Sequence, residues 1–78
     1  MAVSAYILIQ TEVGKAAMVA SEVGAIDGVV SAEDVTGPYD VIVRAEGPTV
    51  DELGALVVSS IQNVPGITRT LTCPIVTF

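Results

Sequence analysis

The chain repeats one local pattern: an extended apolar segment, a helical segment, and a glycine-containing break that opens another extended segment. The two breaks are Ile26-Asp27-Gly28-Val29 and Val64-Pro65-Gly66-Ile67, and their glycines lie 38 positions apart. Gly adopts positive φ without steric cost, and the residue before Pro is disfavoured in the helical region, so both breaks end a helix. Two such units in succession predict the order strand, helix, strand, strand, helix, strand, which is the ferredoxin-like βαββαβ arrangement of an α+β fold.

The first helix is predicted from apolar residues that recur every three or four positions after Thr11, whose hydroxyl is suited to an N-cap. We expect this helix to run from about Glu12 to Ala25. Its apolar stripe comprises Val13, Ala16, Ala17, Ala20 and Val23. Met18 and Val19 lie off this stripe, so the pattern predicts no internal partner for either.

The second helix is predicted to begin at a capping box formed by Thr49 and Glu52 and to end before Pro65. Its apolar stripe comprises Leu53, Leu56, Val57, Ser60, Ile61 and Val64. The four extended segments are Met1–Gln10, Val29–Val35, Val41–Glu46 and Ile67–Phe78. Right-handed crossovers place both helices on one face of a four-stranded antiparallel sheet, with the first and third strands in the centre. Pro74 cannot donate a ladder hydrogen bond, so the last strand is expected at an edge or a bulge.

The other face of this sheet has no helix to cover it. The chain of 78 residues is 51% hydrophobic and only 15% charged, whereas soluble domains contain about 25% charged residues. A single domain of this size, assigned to residues 1–78, cannot bury so much apolar surface by itself. We therefore expect a homo-oligomer in which two sheets pack face to face, as in a dimeric α+β barrel.

Charge and composition exclude several classes of function. The net charge of −6 and the scattered Lys15, Arg44 and Arg69 argue against a nucleic-acid partner. No run reaches the roughly 18 apolar residues of a membrane span. No signal peptide is apparent, and the single Cys73 cannot form a disulfide within the chain. We therefore expect a cytoplasmic protein. Without His or a cluster at metal-ligand spacing, the sequence predicts no metal, no cofactor and no catalytic residue.

The turn Val35-Thr36-Gly37-Pro38-Tyr39-Asp40 is the best candidate for a binding site. Gly37 permits positive φ and Pro38 fixes its own φ, so the turn is expected to be stiff. Tyr39 and Asp40 offer a ring, a hydroxyl and a negative charge to a small polar molecule. The alternative is a plain hairpin, with Tyr39 packed on the rim of the sheet and Asp40 bonded to its own backbone.

Thr68, Thr70 and Thr72 share one face of the last extended segment. They are either ligand contacts or a ladder of β-branched residues on an exposed edge.

Together, several stretches resemble the effector-binding domain of the Lrp/AsnC family of transcription regulators, also called the regulation of amino-acid metabolism domain. They are the turn Thr36–Asp40, the helical segment Asp51–Val64, the break Pro65-Gly66-Ile67 and the segment Thr70-Leu71-Thr72. The resemblance spans essentially the whole chain in the same order. It implies a βαββαβ fold that forms dimers through its sheets, assembles further into rings such as octamers, and binds an amino acid or related effector between dimers.

The resemblance also implies site residues. Gly37, Tyr39 and Asp40 match the family's turn at the effector pocket, with Asp40 as acceptor for an α-ammonium group and the backbone N–H of Gly37 facing a carboxylate. Thr70 and Thr72 match the family's Thr-x-Thr strand. No helix-turn-helix precedes the first strand, so the resemblance is to a stand-alone sensor that does not bind DNA directly. Such a protein either buffers an effector or associates with a full-length regulator.

Two other classes of function stay open at this point. One is a small dimeric α+β-barrel enzyme of the monooxygenase type, which would need polar or titratable groups in an interior cavity. The other is a purely structural assembly module in which the turn is closed and binds no ligand.

Overall fold

A computed structural model of the protein describes residues 2–76 and has the predicted order of elements. The strands and helices are β1 (Val3–Thr11), α1 (Ala16–Gly24), β2 (Val29–Asp34), β3 (Val41–Gly47), α2 (Val50–Ser59) and β4 (Ile67–Pro74), with a 3-10 turn at Ile61–Asn63. The ferredoxin-like βαββαβ arrangement is therefore confirmed. Met1, Thr77 and Phe78, which the sequence assigns to the first and last strands, lie outside the described residues.

The four strands form one antiparallel sheet in the order β2-β3-β1-β4. β1 pairs with β3 on one side and with β4 on the other, so Ile7 lies between Val43 and Thr72. This order confirms the predicted central strands. It also confirms the edge position of β4, which ends at Pro74, where a missing ladder donor is tolerated.

The hydrophobic core lies on one face of this sheet. Six alternate residues of the two central strands are completely buried: Ala5, Ile7, Ile9, Val41, Val43 and Ala45. The helical segments complete the core with Val19, Ala20, Val23, Leu53, Val57 and Ile61. Side chains alternate across a strand, so the same alternation that buries these residues sends their neighbours to the opposite face.

The sequence prediction of α1 is wrong at its N-terminal end. β1 continues through Thr11, and Gly14 follows in a turn with φ of +79°, so α1 begins later than predicted. Lys15 occupies the N-cap position in place of Thr11, without a side-chain cap. Val13 is consequently outside the helix and fully exposed, whereas Val19 is completely buried. Strand pairing outweighs the helical pattern of this segment, because helix propensity is a weak preference that tertiary contacts override.

α2 begins as predicted, because Thr49 Oγ1 accepts a hydrogen bond from the backbone N–H of Glu52 at 3.1 Å. It ends at Ser59, earlier than predicted, and there the Ser59 hydroxyl donates to the carbonyl oxygen of Ala55 at 2.6 Å. Side-chain bonds of this kind compete with the helical backbone. The 3-10 turn that follows keeps Ile61 completely buried. No helix within residues 2–76 is long and apolar enough to cross a membrane.

The two glycine breaks adopt nearly the same backbone, with φ of +94° at Gly28 and +98° at Gly66. A Cβ at Gly28 would lie 3.1 Å from Leu56 Cδ2 in α2. A Cβ at Gly66 would lie 3.2 Å from Lys15 Cβ and 3.3 Å from Val19 Cγ2. Each glycine therefore permits close packing against the helix of the other half of the repeat, in a conformation that disfavours larger residues.

The second face of the sheet, here called the open face, is defined by Tyr6, Leu8, Ile42, Arg44 and Leu71. Tyr6 and Leu71 are each 41% exposed and Ile42 is 37% exposed. The Arg44 guanidinium lies 5.7 Å from the centroid of the Tyr6 ring, and its Nη1 donates to Tyr6 Oη at 3.3 Å. The open face is thus largely apolar, with one cation stacked on an aromatic ring.

Candidate functional site

The turn between β2 and β3 is bonded both to itself and to β1. The backbone N–H of Val35 donates to Asp40 O at 2.8 Å, which closes the turn. The N–H of Asp40 donates to Ile9 O at 2.9 Å, and Gln10 Nε2 donates to Pro38 O at 3.1 Å. Hydrogen bonds therefore join the turn both to itself and to the central strand, and its stiffness stays a prediction.

Gly37 lies at the exposed tip of this turn with φ of +152°. A Cβ built at this position would meet no heavy atom within 4 Å. The glycine is therefore needed for its backbone conformation and not for close packing. Tyr39 and Asp40 follow it and are half-buried, so the turn offers an exposed backbone next to two partly covered polar side chains.

Asp40 makes the contact that fixes the base of the turn. Its Oδ2 accepts a hydrogen bond from the backbone N–H of Thr11 at 2.8 Å. The pairing of β1 with β4 shifts register between Gln10 and Thr11, so this N–H lies at an irregularity of the ladder. A carboxylate has a second oxygen, and Asp40 can therefore accept a further donor through Oδ1.

Thr70 and Thr72 lie elsewhere, on the helix-facing side of β4, because they pair with Ile9 and Ile7 of β1. Beside them is a groove of about 280 Å³ between α2 and β4, here called the α2–β4 groove. Its lining includes Val50, Gly54, Val58, Gln62, Thr70 and Thr72. Gln62 Nε2 donates to Thr70 Oγ1 at 3.1 Å across one end of the groove.

A second groove of about 280 Å³, here called the Arg69 groove, adjoins the first. It is lined by Gln62, Ile67, Thr68, Arg69 and Thr70. Gln62 and Thr70 line both grooves, so their hydrogen bond lies at the boundary between them.

The five predicted site residues thus fall into two separate groups in the structure. Gly37, Tyr39 and Asp40 lie at the turn, and neither groove is lined by them. Thr70 and Thr72 lie on β4, which is separated from β3 by β1. Two strand spacings, about 10 Å, separate the backbones of the two groups within one chain.

Two polar residues of these sites are absent from the sequence prediction. Gln62 lies off the apolar stripe of the second helix, in the 3-10 turn, and its amide reaches Thr70 of β4. Gln10 contacts the turn because of the register of β1 with β3. The sequence carries no signal for either contact, since both depend on the pairing of distant segments.

The Lrp/AsnC ligand-binding domain model matches residues 4–77 of the 78-residue chain. The chain belongs to the Lrp/AsnC ligand-binding domain family. This confirms the family that the turn, the break and the threonine pair indicate together. A comparison with curated proteins gave no match.

Solved structures agree with this assignment. The chain is similar to the hypothetical protein PHS023 from Pyrococcus horikoshii, with 33% identity, a TM-score of 0.88, and coverage of 97% of this chain and 92% of that one. It is similar to AsnC from E. coli, with 21% identity, a TM-score of 0.88, and coverage of 97% of this chain and 52% of AsnC. It also resembles the transcriptional regulator NMB0573 from Neisseria meningitidis, in a complex with L-Met, with 17% identity, a TM-score of 0.82, and coverage of 96% and 50%.

The Lrp/AsnC domain thus spans about half the length of the two regulators, and at these identities the likeness to them shows the fold alone. The family match and the shared fold together support a regulatory domain of the ligand-binding type.

Proposed function

We propose that this Lrp/AsnC domain binds an amino acid or a related small effector at the turn Val35–Asp40, at an interface between subunits. One observation carries the proposal: the tip of the turn is exposed while its base is fixed to β1 by Gln10 and Thr11. A fixed and accessible turn loses little conformational freedom when it binds a ligand. The complex of NMB0573 with L-Met supports amino acids as the class of effector.

Three residues of the turn have a role in this proposal. The backbone N–H of Gly37 faces the carboxylate of the effector, because no side chain shields it. Asp40 accepts the α-ammonium group through Oδ1 in a charge-assisted hydrogen bond, while Oδ2 keeps its bond to Thr11. Tyr39 contributes its hydroxyl and ring face. Thr70 and Thr72 are also proposed as ligand contacts, but in the separate α2–β4 groove.

We further propose that the domain forms a homodimer through the open face and that dimers associate into larger rings such as octamers. Tyr6, Ile42 and Leu71 support this, since they place partly exposed apolar side chains together on one sheet face. Patches of this kind mark interaction surfaces, and a two-fold dimer covers the same patch on both subunits. Effector binding between dimers would then change the assembly.

The same surfaces allow association with a full-length regulator that carries this domain, as a route to transcription regulation. Co-purification of the tagged protein from its native cell, with and without amino acids, tests this. We expect to recover a longer chain with the same domain, in an amount that depends on the effector. Recovery of only this chain under every condition would contradict association with a regulator.

Effector binding is tested by thermal unfolding of the protein with each common amino acid at millimolar concentration. A ligand at about 100 times its Kd stabilises by about 2.7 kcal/mol, or several degrees in a domain of this size. Asp40→Asn keeps an acceptor for the Thr11 N–H and removes the charge, so we expect it to lose the selective rise in Tm. Asp34→Asn, at the exposed end of β2, is the matched control and should keep it.

Flat unfolding curves for every amino acid, with a folded wild-type protein, would contradict effector binding. A rise that Asp40→Asn retains in full would contradict the proposed role of Asp40.

A further inference from the structure

The proposed effector site at the turn has no cation of its own. The backbone N–H of Gly37 alone faces the carboxylate of the effector, and the carboxylate of Asp40 lies beside it. Because like charges repel, an anion at this place is opposed by Asp40 and by the net charge of −6 on the chain. A site for a free amino acid therefore needs a positive side chain close to the turn, and the candidates are Lys15, Arg44 and Arg69.

Two of these cations have contacts elsewhere. Lys15 precedes α1 in the helix layer, where a Cβ at Gly66 would lie 3.2 Å from its own Cβ. Arg44 stacks on Tyr6 on the open face and donates to Tyr6 Oη at 3.3 Å. Arg44 also lies four residues after Asp40, and four residues of a strand span about 14 Å. Arg44 is therefore remote from the turn.

Arg69 lies at the end of the sheet that carries the turn. It pairs with Gln10 in the β1–β4 ladder, two positions beyond the pair of Leu8 and Leu71. Alternate residues of a strand share a face, so Arg69 projects on the same side of the sheet as Leu71, which lies on the open face. Gln10 Nε2 in turn donates to Pro38 O at 3.1 Å. The ladder partner of Arg69 is thus in contact with the turn.

Asp40 belongs to the same side of the sheet. It directly precedes β3 and has the parity of Ile42, which lies on the open face. The N–H of Asp40 donates to Ile9 O, so the end of the turn remains attached to β1. Adjacent strands lie about 4.8 Å apart, which is less than the length of an extended Arg side chain. The guanidinium of Arg69 can therefore extend over β1 towards the turn.

The Arg69 side chain is available for a ligand. It is exposed, and within residues 2–76 no side-chain hydrogen bond holds its guanidinium. Arg69 also borders the Arg69 groove along the outer edge of β4. Because the side chain is exposed, turning it over β1 costs only rotamer freedom.

We propose that Arg69 binds the α-carboxylate of the effector at the turn, and that the site thereby selects molecules with a free carboxylate next to an ammonium group. The inference rests on the proposed function and adds a specificity residue to it. Asp40 accepts the ammonium group through Oδ1, and Arg69 donates to the carboxylate from across β1 in a charge-assisted hydrogen bond. The guanidinium fork matches the two oxygens of a carboxylate. The primary amide of an amino acid lacks this anion and binds more weakly.

The test is an NMR titration of ¹⁵N-labelled protein with each common amino acid, and then with the primary amide of the amino acid that binds most tightly. The backbone N–H signals of Gly37, Tyr39 and Asp40 report on the turn, and the Nε–H signal of Arg69 reports on the guanidinium. We expect the amino acid to shift both sets of signals. Its primary amide should bind about tenfold more weakly, as expected for the loss of a hydrogen bond between charged groups.

Arg69→Gln separates a direct contact from a structural role. It removes the charge and keeps a polar side chain, so the amino acid should bind about tenfold more weakly while its primary amide binds as before. A structural role would weaken both ligands by the same factor. Arg69→Lys keeps the charge without the fork and should retain part of the preference for the acid. Backbone N–H spectra show whether each variant keeps the fold.

Arg44→Gln and Lys15→Gln are the matched controls, because each removes one of the other two cations. Both should retain the full preference for the amino acid over its primary amide.

Three results would overturn the role of Arg69 and leave effector binding at the turn intact. The first is a shift of the turn signals without a shift of Arg69 Nε–H. The second is a preference for the acid that Arg69→Gln retains in full. The third is a preference that Arg44→Gln or Lys15→Gln loses instead, which would assign the carboxylate to another cation. If no amino acid shifts the turn signals of the folded wild type, the proposed function itself fails, and this inference fails with it.

Discussion

Asp40 has a structural role that can be tested separately from any ligand. The substitution Asp40→Ala removes the acceptor of the Thr11 N–H, which is bonded at 2.8 Å. A fully buried unpaired N–H costs about 1–3 kcal/mol. Because Asp40 is half-buried, water reaches part of the vacated site, and we expect a loss of about 1–2 kcal/mol in the free energy of unfolding. In a domain of this size that corresponds to a fall in Tm of about 5–15 °C.

The assay is urea unfolding followed by circular dichroism, at one fixed protein concentration because oligomers gain stability with concentration. Hydrogen exchange of the Thr11 amide is the local measurement, and it should accelerate in Asp40→Ala. Asp40→Asn retains an acceptor oxygen and should recover most of the stability. Asp34→Ala removes an exposed carboxylate and should change stability by no more than about 0.5 kcal/mol.

Wild-type stability in Asp40→Ala, together with unchanged exchange at Thr11, would refute the structural role of this carboxylate. An Asp40→Asn variant as unstable as Asp40→Ala would show that the charge, and not the hydrogen bond, is what stabilises the turn.

Three further predictions concern the interface, the second helix and the glycine breaks. Ile42→Glu places a charge on the open face, so sedimentation should show dissociation of the dimer to monomers. The control Val58→Glu on α2 should leave the dimer intact, and a dimeric Ile42→Glu variant would contradict the sheet interface. Gly54→Ala should stabilise the protein by about 1 kcal/mol, because alanine is the better helix former and its Cβ has free space. A lower Tm would contradict the free space at this position. Gly66→Ala should destabilise more than Gly37→Ala, since both have positive φ but only Gly66 is crowded; denaturant midpoints that rank the two in the opposite order would contradict this.

Much of the fold could be predicted because its signals are local. The break glycines of the two halves take nearly equal positive φ values, and each directly precedes a strand. Alternation along the central strands predicts which side chains are buried, because the backbone itself sends neighbours to opposite faces. The cap at Thr49 is also local, since Glu52 is only three residues away.

The errors lie where a local pattern competes with strand pairing. The segment after Thr11 has helical periodicity, yet pairing with β4 extends β1 and leaves Val13 in solvent. Val19 then takes the buried position on α1. A periodic stripe cannot show where a helix begins when a neighbouring strand competes for the same residues.

The sequence by itself determined the order of the elements, the alternation along the two central strands and the family. Each of these depends on residue type at short spacing. Only the tertiary structure decided that Asp40 holds Thr11, that Gln62 reaches Thr70, and that the threonine pair lines a groove with α2 that the turn does not line. These contacts join residues through strand register and helix position, which the packing of the whole chain sets and no short stretch encodes.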